Sequence, residues 1–80
     1  MDTQTILNEL NLIFQDVLKR EHIALTNETT ARDVDGWDSL TNMQLISQIE
    51  KKFNVRFTFR DIVRLKNVGD TCQAILTKAQ

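Results

Sequence analysis

Ile6, Leu7, Leu10, Ile13, Phe14, Val17 and Leu18 recur at steps of three and four, leaving polar residues on the opposite side. That spacing is the α-helical repeat, and it predicts an amphipathic helix over residues 3–19 with Asp2 or Thr3 as its cap. The pattern then breaks. From Arg20 to Trp37 polar and β-branched residues dominate, and Ile23, Leu25 and Val34 are the candidate anchors to a core. A connection of this length is unusual in a small domain and is often functional when ordered. Periodicity returns over residues 39–53. There Leu40, Met43, Ile46, Ile49 and Phe53 form an apolar stripe widened by Leu45, with Thr41, Gln44, Gln48, Lys51 and Lys52 facing away. Asn54 suits the exit turn, and Val55-Arg56-Phe57 reads as a short extended link.

Thr58-Phe59-Arg60-Asp61 has the form of a capping box with Asp in place of the usual Glu, and it opens a short helix from Phe59 to Leu65. Asn67-Val68-Gly69-Asp70 repeats the cap-and-acid pattern and opens a fourth helix over residues 68–78, burying Val68, Cys72, Ile75 and Leu76. The pattern therefore predicts an all-α protein. It is a four-helix bundle of three longer helices and one short third helix, with a long first loop, in a single domain over residues 1–80.

Eighty residues allow one modest core. Cys72 is the sole cysteine, so disulfides cannot supplement that core, and Cys72 with His22 cannot furnish a four-ligand zinc site. A single thiol suits a reducing compartment. No apolar run approaches the roughly 20 residues of a membrane span. The expectation is a cytoplasmic monomer with no metal and no membrane insertion.

Charge divides the chain in two. Residues 1–40 carry eight acids against three bases, and residues 41–80 three acids against seven bases. Such polarity steers partners. Arg56, Arg60, Arg64 and Lys66 could form a basic strip, which makes a nucleic-acid- or protein-binding module the alternative reading. The overall net charge of -1 argues against nucleic acid.

Catalysis finds no support. Ser39 has His22 as its one candidate base, and His22 lies in the loop with no orienting partner in view. Asp33, Asp35 and Asp38 suggest calcium, but the EF-hand spacing would need glycine and glutamate where Asp38 and Gln44 stand. What remains is Asp38-Ser39-Leu40, a serine hydroxyl at the start of an amphipathic helix. The first N–H groups of a helix lack internal partners and the macrodipole adds positive charge, so a phosphodiester is welcome there.

Gly36-Trp37-Asp38-Ser39-Leu40, then Leu45-Ile46 and Ile49-Glu50-Lys51-Lys52-Phe53, resembles the acyl carrier protein family. Length, helix order, the long first loop and the serine at the second helix agree with it. Asp38 before the serine favours an acyl carrier over a peptidyl carrier, where glycine is commoner. The resemblance implies that Ser39 bears 4'-phosphopantetheine, attached by a phosphopantetheinyl transferase from coenzyme A, with Asp38, Leu40 and Trp37 as motif neighbours. The phosphodiester would then lie near the N–H groups of Leu40 and Thr41. Such a carrier is no enzyme; acyl-loading and acyl-using enzymes act on its thioesters.

Partner recognition is expected from Thr41, Gln44, Gln48 and Lys51 on the second helix and from Asp33 and Asp35 in the loop. Leu45, Ile46, Phe57, Ile62 and Ile75 are the expected lining of an acyl pocket. One departure stands out. Fatty-acid-synthesis carriers resemble one another in an acidic second helix, whereas here its exposed face is amide-rich and basic, which favours a specialised lipid or polyketide pathway.

Overall fold

Asp2 opens the first helix, α1 (Thr3–Leu18), by accepting a hydrogen bond from the Thr5 N–H at 2.8 Å. In the computed structural model, which describes residues 1–79, three further helices follow. They are α2 (Ser39–Phe53), α3 (Phe59–Val63) and α4 (Val68–Lys78), with a 3₁₀ turn at Ala31–Asp33 inside the long first connection. The first two helices stop for a local reason. Lys19 and Asn54 take the left-handed conformation after α1 and α2, and their N–H groups return to Gln15 and Glu50. The first helix thus ends one residue before the predicted limit. The third also ends early, at Val63 rather than Leu65. Arg64 and Leu65 donate to carbonyls only three residues back, tightening the chain out of the α-helix.

The core is built from three helices. Ile6, Leu10 and Phe14 of α1 meet Leu45 and Ile49 of α2 and Val68, Cys72 and Ile75 of α4, with Leu25 sealing the cluster from the loop. α1 packs against both α2 and α4. Burying each large aliphatic side chain is worth about 1.5–3 kcal/mol. Cys72 is a buried small packing residue whose thiol is pushed upward in pKa by desolvation, not an activated nucleophile. α3 contributes no buried residue.

The predicted stripe of α2 is corrected at two positions. Leu40 is 71% and Met43 55% exposed. The helix is buried along Leu45, Ile46 and Ile49, and on a 3.6-residue wheel Leu40 lies nearly opposite that line. The buried face is narrower than the apolar stripe.

The long connection is ordered by its own polar groups. Thr26 and Thr29 bond one another, the Asp33 carboxylate accepts from the Thr30 N–H and hydroxyl, and the Leu25 N–H donates to Asn11 of α1 at 2.9 Å. It also closes over α4: the N–H groups of Val68 and Gly69 donate to the carbonyls of Thr29 and Asn27 at 2.9 and 2.8 Å.

Candidate functional site

The start of α2 is held from both sides. Asp38 is its cap, accepting from the Thr41 N–H at 3.0 Å, while the Thr41 hydroxyl accepts from the Asp38 N–H at 2.8 Å. The same hydroxyl donates to the Gly36 carbonyl at 2.6 Å. Gly36 sits at φ +90°, a backbone conformation that side chains other than hydrogen resist, so this turn needs its glycine. The bond from Thr41 draws the Asp38 carboxyl below its ordinary pKa. Asp38 therefore stays charged at neutral pH and faces its own helix N–H groups.

Trp37 fixes the other side. Its ring stands edge-on to Phe14, centroids 4.8 Å apart, and its indole N–H donates to Asn42 at 3.0 Å. The loop end is thereby tied to α1 and to the next turn of α2.

Ser39 occupies the first helical position between these anchors and is exposed. Its hydroxyl has no hydrogen-bond partner among the described residues, and His22 is itself exposed in the loop. No neighbouring base among the described residues activates it as a nucleophile. The expected anion contact shifts by one residue. The Thr41 N–H is already taken by Asp38, and the Leu40 N–H also helps hold that carboxyl, which leaves the Ser39 N–H, with a share of the Leu40 N–H, as the outward donors.

A cavity of about 350 Å³ opens beside Ser39. It runs between α1, α2 and the α3–α4 segment, with Leu45, Ile46 and Ile62 in its lining. Phe57 and Ile75 stand outside it. Ile75 is fully buried in the core, and Phe57 lies under the Lys78 ammonium at 5.4 Å from the ring centroid. Sequence reasoning missed Asn42, Lys66, Asn67 and Thr71 in the lining. Only the chain's return past α2 brings the last three there, so no local signal marks them. The exposed hydroxyl, the free donors and the adjoining cavity together fit a phosphodiester-linked arm.

The expected partner residues divide. Gln44, Gln48, Lys51 and Asp35 are exposed. Thr41 is half-buried and committed to the turn, and the Asp33 carboxylate is bonded to Thr30. Lys52 reaches Glu9 of α1 at 3.4 Å, so Lys51 is the less encumbered cation. Glu50 accepts from the Phe57 N–H at 2.8 Å and braces the exit from α2. Among the described residues there is no cluster of ligands for a metal, and no helix is long and apolar enough to cross a membrane.

Known proteins repeat this layout. A family model described as a phosphopantetheine attachment site matches residues 8–75. An acyl carrier protein of an Exiguobacterium species is 30% identical over 78 residues, covering 98% of this chain and 99% of the relative. The solution NMR structure of a holo acyl carrier protein from Geobacter metallireducens superimposes with a TM-score of 0.85 at 40% identity, covering 90% of this chain and 83% of that one. A binding module built on the basic C-terminal half is not favoured by these likenesses. A serine-bearing helix start in a four-helix bundle, matched along nearly its whole length, means that the chain belongs to the acyl carrier protein family, whose non-catalytic members hold acyl groups on a covalently attached 4'-phosphopantetheine.

Proposed function

We propose that Ser39 is the attachment residue and that this carrier serves a specialised lipid- or polyketide-type pathway. The observation that carries the first half is the exposed Ser39 hydroxyl at the open start of α2, beside the cavity. When bound, the arm supplies a terminal thiol that holds acyl groups as thioesters. The chain's own residues do the rest. Ser39 and Leu40 N–H groups face the phosphodiester, Asp38 and Thr41 hold the turn, and Trp37 keeps the loop end against α1. The domain then offers its cargo to enzymes at high effective concentration. Leu45, Ile46 and Ile62 shelter part of that cargo.

The pathway reading rests on the exposed side of α2. Gln44, Gln48 and Lys51 supply no acid there, while Leu40 and Met43 offer apolar contact. Complementary charge sets encounter rate and rejects wrong partners. A basic docking patch is therefore poorly matched to α2, whereas the exposed Asp35 in the loop remains available to the transferase.

The test of attachment is incubation with coenzyme A and a broad-specificity phosphopantetheinyl transferase, followed by peptide mass mapping. The added mass should fall on Ser39 and vanish in Ser39→Ala; modification elsewhere would refute the assignment. For the pathway, the loaded protein is offered to a malonyltransferase of fatty acid synthesis. Slow transfer should quicken in a Gln44→Glu, Lys51→Glu variant and lose that gain with added salt. Fast transfer to the unaltered protein would remove the case for specialisation.

A further inference from the structure

The cavity beside Ser39 is not an oil-lined slot. One wall is apolar, with Leu10, Leu45 and Ile49 among its residues, but Asn42, Lys66, Asn67 and Thr71 also line it. The two asparagine amides have fixed orientations. The Asn42 carbonyl oxygen accepts from the Trp37 indole, which can only donate, and the Asn67 carbonyl oxygen accepts from the Asp70 N–H at 2.8 Å. In both, the NH₂ end is left over, and neither has an acceptor among the described residues. The Lys66 ammonium likewise has no ion pair among the described residues. The Thr71 hydroxyl spends its proton on the Asn67 main-chain carbonyl at 3.4 Å. The cavity thus offers more spare donors than its own chain uses.

A purely hydrocarbon chain entering this space would take water from those donors and return nothing. Sites that present unpaired polar groups reject the analogue that lacks the matching group. We propose that the cavity takes a short acyl chain bearing an oxygen acceptor, a carbonyl or hydroxyl near the thioester, with the Asn42 and Asn67 side-chain amides as its donors. This rests on the reading of Ser39 as the attachment residue and names the class of cargo that such a carrier shelters. The enzymes it serves would then make or use partly oxidised acyl groups.

The experiment transfers hexanoyl-, 3-oxohexanoyl- and 3-hydroxyhexanoyl-pantetheine arms to the whole protein from their coenzyme A thioesters. Intact mass and peptide mapping first establish loading at Ser39; absence of loading there overturns the carrier assignment itself. Given full loading, the 3-oxo and 3-hydroxy forms should melt about 4 °C or more above the hexanoyl form. The side-chain NH₂ resonances of Asn42 and Asn67 should move between the hexanoyl and 3-oxo forms. Asn42→Asp with Asn67→Asp keeps an oxygen for Trp37 and for Asp70 but removes both donors, and should erase the 3-oxo advantage. Equal or higher melting of the hexanoyl form, or a 3-oxo advantage that survives in the double variant, overturns the proposal and leaves the carrier reading standing. If the double variant fails to fold, the resonances of the unaltered protein decide: unmoved Asn42 and Asn67 signals overturn it.

Discussion

The starts of α2 and α4 are built from nearly the same local chemistry, yet only one is a site. Each has a short polar cap, Asp38 or Asn67, accepting from the N–H three residues on. At α4 the next two N–H groups are consumed by the carbonyls of Thr29 and Asn27, and Val68 is 1% exposed. At α2 the corresponding groups belong to Ser39 and Leu40, and both residues face outward. A helix start is only an opportunity for an anion. Whether it is spent on the protein's own loop or left open is decided by what packs above it.

The largest expected difference is at the first helical position. Val68→Ala should cost about 2 kcal/mol, because it empties a packed part of the core. Ser39→Ala should stay within about 0.5 kcal/mol, since nothing rests on its hydroxyl. Denaturant melts of the two variants measure the contrast, and equal losses would break it.

Next comes the second position. Alanine normally improves a helix over glycine by about 1 kcal/mol. A Cβ on Gly69, however, would meet the Asn27 carbonyl oxygen at 2.9 Å. Gly69→Ala should therefore destabilise by about 1–2 kcal/mol as the loop is pushed off, whereas Leu40→Ala should be within about 0.5 kcal/mol. Stability and amide exchange of Val68 and Gly69 report the displacement. A stabilised Gly69→Ala would mean that the loop does not bind α4 there.

The caps themselves should be alike. Asp38→Ala and Asn67→Ala are each expected to cost about 1 kcal/mol, by chemical denaturation. A negligible loss at either would show that its helix start is held by tertiary contacts alone.

The smallest effect separates the caps by pH. Asn67 does not titrate, but the Asp38 carboxyl is held below its ordinary 3.8 by the Thr41 N–H. Asp61 at α3 falls from 3.8 to about 2, chiefly through Lys78 at 2.9 Å and then the Thr58 N–H. A carboxyl lowered on folding stabilises above its unfolded pKa, and that contribution is lost as pH falls through the folded value. Melting temperature should thus decline from about pH 4 toward pH 2, less steeply in Asp38→Asn and Asp61→Asn. Unchanged slopes would remove these two carboxylates from the acid limb.

Much of the fold could be read in the chain. The limits of α2 and α4 agree with the predicted 39–53 and 68–78 because caps and exit residues are local: Asp38, Asn54 and Asn67 act on neighbours three or four residues away. The box at Thr58 and Asp61 forms as expected for the same reason, with both reciprocal bonds present. Burial was less legible. Hydrophobicity predicts Leu40 and Met43 buried, but it does not say which side of a helix its neighbours occupy, and both are exposed.

The sequence by itself determined four helix starts, the serine at one of them and the apolar surfaces that must be covered, because propensity, capping and periodicity act over a few residues. The tertiary structure alone decided which start stays open, which apolar residues remain in water, and that Asn42 of α2 shares a cavity with Lys66, Asn67 and Thr71. Those outcomes depend on residues far apart in the chain, Asn42 with Asn67 and Asn27 with Gly69, meeting across the bundle, and no short-range rule encodes such a meeting.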